Sequence, residues 1–103
     1  MTDVVLILTT VPEDFVTSGF TRTLVDAGHA ACVSVFPPME STFRWEGVVE
    51  TTRERQVVIK TTSDRVAAVE AAITAAHPYD VPELLVLPVS GGGAAYLAWV
   101  AGR

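Results

Sequence analysis

The chain has little cysteine, little lysine and few charges of any kind. Cys32 is its single thiol, Lys60 its single lysine, and charged residues make up 18% of 103 positions. One thiol excludes an internal disulfide and a cysteine-rich zinc cluster within one subunit, and it suits a reducing, cytoplasmic setting. The seven basic residues form no run able to track a phosphate backbone, and the formal charge is −5, so nucleic acid is not an expected partner. The longest unbroken apolar run, Val4 to Leu8, is far below the roughly 20 residues that cross a bilayer. No membrane association is expected.

What is abundant is apolar surface, since half of the residues are hydrophobic. A domain of this length buries only about 60–70% of the surface its unfolded chain exposes. High apolar content with few charges therefore points to surface covered by another subunit. The length suits one folding unit over residues 1–103.

Along the chain, Asp3 to Thr9 reads as a strand buried on both faces. Thr10 and Glu13 have the spacing of a capping box, with Val16, Phe20, Leu24 and Ala27 at helical spacing up to Gly28. Ala30 to Phe36 predicts a second strand that Pro37 and Pro38 interrupt. Two extended segments between Glu40 and Lys60 flank Trp45, Glu46 and Gly47, as in a long hairpin. Ser63 and Asp64 start a second helix, with Val66, Val69, Ile73 and Ala76 on one face and Pro78 ending it. Leu84 to Val89 predicts a final strand, Gly91 to Gly93 a flexible joint, and Ala94 to Ala101 a short helix. The order βαββαβ plus a terminal helix predicts an α+β, ferredoxin-like antiparallel sheet with two helices on one face.

Five blocks stand out in order: Ala30-Ala31-Cys32-Val33, Trp45-Glu46-Gly47, Ile59-Lys60-Thr61, His77-Pro78-Tyr79-Asp80-Val81-Pro82-Glu83-Leu84 and Tyr96-Leu97-Ala98-Trp99. In content and spacing, over nearly the whole length, they resemble the CutA divalent-cation-tolerance proteins. That resemblance implies a PII-like homotrimer whose subunits extend one another's sheets, with a link to copper or another divalent cation. It also marks departures: Ser34 stands where asparagine is common and Arg44 where an aromatic is common. Thr9 and Ala76 occupy places where copper-associated members look to use a thiol and a second histidine, which leaves His77 alone.

Candidate residues follow from side-chain chemistry. Cys32 and His77 are the ligands suited to copper, and each also has a structural reading. Cys32 fits a buried small hydrophobe in a strand. His77, at a helix end before a proline, fits a C-terminal cap equally well. Lys60 with Glu50, Tyr79 and Glu83 is a candidate polar pocket for a small ligand between subunits, or an ion-pair network that fixes the register of a trimer. Trp45, Tyr96 and Trp99 are rings of the kind that anchor interfaces. The sequence has no Gly-rich phosphate loop and no nucleophile triad context, so catalysis is not expected. Three functions stay open: a trimeric module binding a metal or small ligand, a trimer presenting loops to a protein partner, and a cysteine-dependent enzyme.

Overall fold

A computed structural model describes residues 2–102 of the chain. Strand β1 spans Val4–Pro12, helix α1 Thr17–Asp26, β2 Cys32–Val35, β3 Met39–Trp45 and β4 Val48–Thr62. A 3-10 turn at Ser63–Arg65 leads into α2, Val66–Ala76, followed by β5, Leu85–Pro88, and α3, Ala94–Ala101. The strands pair antiparallel in the order β2-β4-β1-β5, with β3 also on β4.

β1 runs on into the predicted capping box, through Thr10 to Pro12. Thr10, Val11 and Pro12 pair with Gln56, Arg55 and Glu54, because the 15-residue β4 offers a ladder that long. Backbone pairing with β4 takes precedence over a local cap, α1 starts instead at Thr17 without a side-chain cap, and Val16 stands exposed. Gly28, at φ 75°, then turns the chain, and the His29 and Ala30 N–H groups both donate to the Leu24 carbonyl.

The two prolines divide what would be one long strand. Val35 pairs with Val57 and Met39 with Glu54, so three residues of one strand face two of the other. This is a bulge, and it bends the pair beyond it away from the main sheet. Glu46 at φ 50° and Gly47 at φ 81° close the far end, the positive angles that suit a two-residue hairpin. The β3–β4 arm stretches the molecule to 44 Å and raises its radius of gyration to 14.4 Å. A compact chain of this length would give about 13 Å.

Alternation assigns the two sheet faces. Val5, Ile7 and Val11 of β1 with Val57 and Ile59 of β4 meet Leu24, Val69 and Ile73 from α1 and α2 in the core. Thr9 shares that face and is fully buried, and its hydroxyl oxygen has no hydrogen-bond partner among the described residues. An unpartnered buried hydroxyl is a cost that an apolar group of equal shape avoids. Thr9→Val is therefore expected to leave stability unchanged or raise it by up to about 1 kcal/mol. A urea midpoint that instead falls, at unchanged slope, would show that the hydroxyl is satisfied in solution.

The second face carries Leu6, Leu8, Val58 and Lys60, together with Leu85 and Leu87 of β5. Helix α3 lies over one end of it, where Lys60 Nζ donates to Tyr96 Oη at 3.1 Å. The rest is open, with Leu85 54% exposed. Among the described residues β5 pairs only with β1, which leaves its other edge free.

Candidate functional site

The arm and the segment after α2 enclose a groove of about 900 Å³ on this second face. Two-residue periodicity places Glu50, Thr52, Glu54 and Gln56 of β4 on its floor, and Phe43 and Trp45 of β3 beside them. The opposite wall is Tyr79 to Glu83.

His77 fixes that wall. Its ring nitrogens make two bonds of opposite sense, since the Tyr79 N–H donates to Nδ1 at 3.1 Å while Nε2 lies 2.6 Å from the Thr10 carbonyl. A nitrogen that accepts carries no proton, so the proton sits on Nε2 and is donated to Thr10. The ring also packs between Phe15 and Tyr79. Both nitrogens are spent in holding the turn against β1, and the role is positional.

Tyr79 and Glu83 then reach the floor. The Tyr79 hydroxyl donates to Glu54 Oε2 at 3.0 Å. The Gln56 amide donates to the Thr9 carbonyl at 2.8 Å and to Glu83 Oε2 at 3.0 Å. Burial, with the Glu54 carboxylate second, pushes the Tyr79 phenol up from 10.0 to about 12. The neutral phenol is what the fold favours, so the stability it gives is whole below pH 10 and is lost as pH rises toward 12. In a Tyr96→Phe background, phenolate absorbance should report Tyr79 ionising near 12. A midpoint near the ordinary tyrosine value, about 10, would show that this contact does not persist in solution.

The groove gathers Glu50, Tyr79 and Glu83, three of the four residues expected to share a pocket. Lys60 is not with them. It lies six residues from Glu54 along β4, about 20 Å at the rise of a strand. Its ammonium faces Tyr96, whose hydroxyl, followed by the nearby Cys32, holds its pKa above the ordinary 10.5. Cys32 and His77 do not meet either. Cys32 is half-buried in β2 opposite Lys60, with Sγ 3.8 Å from the Ser34 hydroxyl, whereas His77 binds β1 at Thr10. Among the described residues no three His, Cys, Asp or Glu side chains converge on a point that would hold a metal ion. A copper centre built from His77 and Cys32 of one chain does not fit this arrangement, because one ligand has no free nitrogen and the other lies beside a cation. Of the expected anchors, Trp45 is 46% exposed at the arm's tip, and Tyr96 and Trp99 pack together with ring centroids 5.6 Å apart on α3.

Glu54 and Gln56 were not among the expected site residues. The signal was present in the alternation Glu50, Thr52, Glu54, Gln56, which puts four polar groups on one strand face.

Four main-sheet strands in the order β2-β4-β1-β5, with α1 and α2 packed on one face, define an α+β domain of the ferredoxin-like class. The description "CutA1 divalent ion tolerance protein" matches residues 5–103. The chain belongs to the CutA1 family. It is 42% identical over 98 residues to the divalent-cation tolerance protein CutA of Pectobacterium atrosepticum, covering 95% of this chain and 89% of that one. The solved CutA1 of Thermus thermophilus superposes with a TM-score of 0.91 at 34% identity, covering 96% of both chains. A structure described as the PII-like protein CutA of a Nostoc species superposes at 0.86 with 27% identity, covering 95% of this chain and 94% of that one. The family is named for tolerance of divalent cations and not for a reaction. No helix among the described residues is long and apolar enough to cross a membrane.

Proposed function

We propose that this chain, with residues 1–103 as one folding unit, is a homotrimeric binding module serving divalent-cation tolerance. It takes a small ligand in the groove at a subunit boundary. The observation that carries this reading is the arm. A lone two-stranded hairpin is at best marginally stable in water, yet Phe43, Trp45, Val48 and Val49 are each at least 40% exposed at its end. A neighbouring subunit laid against the arm and the open Leu85–Leu87 surface covers both, and it closes the groove from its third side. The PII-like description of a relative supports the same assembly.

A regulatory or sequestering role follows more readily than catalysis, because the groove holds hydrogen-bonded carboxylates and no nucleophile paired with a base. Among the described residues no ligand set for a metal is preformed, so we place any divalent-ion effect on this protein between subunits or through the ligand. Cys32 without a disulfide partner suits the cytoplasm.

A melting screen tests the reading. Small metabolites and divalent ions are added one at a time, and a groove ligand should raise the melting temperature with its concentration. No shift with any compound, alongside a stable oligomer, would favour a purely structural trimer presenting its loops to a protein partner.

A further inference from the structure

Glu54 is 7% exposed, and among the described residues its carboxylate accepts one side-chain hydrogen bond, from the neutral Tyr79 phenol. Among the described residues no cation forms an ion pair with it. The ion pairs among the described residues are Arg22–Asp26 and Arg53–Glu13. Arg53 and Arg55, its neighbours on β4, project to the opposite face, where one holds Glu13 and the other donates to the Phe36 carbonyl. A carboxylate taken out of water is expensive unless a positive group offsets it. Glu54 lines the groove, so the missing positive charge has a route to it.

The rest of the groove has the same sign. Glu50 on the floor and Asp80 and Glu83 on the wall join Glu54, and among the described residues no arginine, lysine or histidine lines the groove. Phe43, Trp45 and Tyr79 add ring surfaces, whose faces attract cations. A bare divalent ion needs several ligands meeting at one point, and the described carboxylates do not converge. An organic cation needs no such convergence. Glu50 and Glu54 stand four residues apart on one face of β4, about 13 Å along the strand, a span suited to an extended chain with amines at intervals.

We propose that the groove binds a small linear polyamine, with one ammonium group against Glu54, another toward Glu50, and methylenes along the aromatic walls. This rests on the reading above that the groove is the ligand site.

Calorimetric titration of spermidine into the assembled protein tests it, with Mg²⁺ as a control for charge alone. Spermidine should bind, more tightly than Mg²⁺. Glu54→Gln keeps an acceptor for Tyr79 and removes the charge, and it should weaken binding about tenfold or more. Glu50→Gln, at an exposed position that folding does not depend on, should weaken it about threefold. Glu70→Gln, on the solvent side of α2, should change nothing. Absence of spermidine binding overturns the proposal, as does equal affinity for Mg²⁺ or affinity insensitive to both groove variants. If spermidine fails while another compound raises the melting temperature through the groove, the polyamine inference falls and the groove reading stands. If spermidine binds through Glu54 to a monomer, the inference stands and the subunit-boundary reading falls.

Discussion

Ile59→Ala is expected to lower the unfolding free energy by about 2–5 kcal/mol. Ile59 has no exposed surface, pairs with Ile7 on one side and Val33 on the other, and meets the Leu24, Val69 and Ile73 side chains beneath the helices. Removing three carbons there forfeits their transfer energy and leaves a cavity that neighbours on three strands and two helices cannot close. A domain of this size has only about 5–15 kcal/mol in total, so the variant should be partly unfolded at moderate temperature. Urea unfolding followed by circular dichroism measures the loss. A cost below about 1 kcal/mol would mean that the core collapses around the gap, contrary to the close packing described.

The second large effect is on assembly. Trp45→Ala removes a ring that is 46% exposed in the single chain, at the tip of an arm with little else to rest on. If that ring seats against a neighbouring subunit, its loss should cost at least about 2 kcal/mol at each contact and move dissociation into a measurable concentration range. Sedimentation velocity over a dilution series would register this as a shift toward smaller species, while the helices and sheet of each subunit persist. An assembly with unchanged sedimentation and unchanged melting temperature would place Trp45 on the groove wall only.

Much of the fold was legible because apolar patterning coincides with the elements. Val4 to Leu8 lies inside β1, Val69 and Ile73 are the buried pair of α2, and α3 spans the predicted Ala94 to Ala101. The start of α1 was not legible. Thr10 and Glu13 have the chemistry of a cap, but whether a strand stops at Thr9 depends on the length of its partner, and β4 lies more than forty residues downstream. The site divides in the same way. The chemistry of Tyr79 and Glu83 could be read locally, whereas their partners Glu54 and Gln56 are set by where the 77–84 segment returns across the sheet. Lys60 shows the limit of parity, since it shares the face of Glu54 and Gln56 and lies at its other end. Its neighbour across the face is fixed by the return of α3, which places Tyr96 over it.

The most direct test of the account is the mass of the native particle by light scattering coupled to size exclusion at micromolar concentration. The account predicts three chain masses. A particle of one chain mass would leave the β3–β4 arm and the Leu85–Leu87 surface uncovered in water and would contradict it.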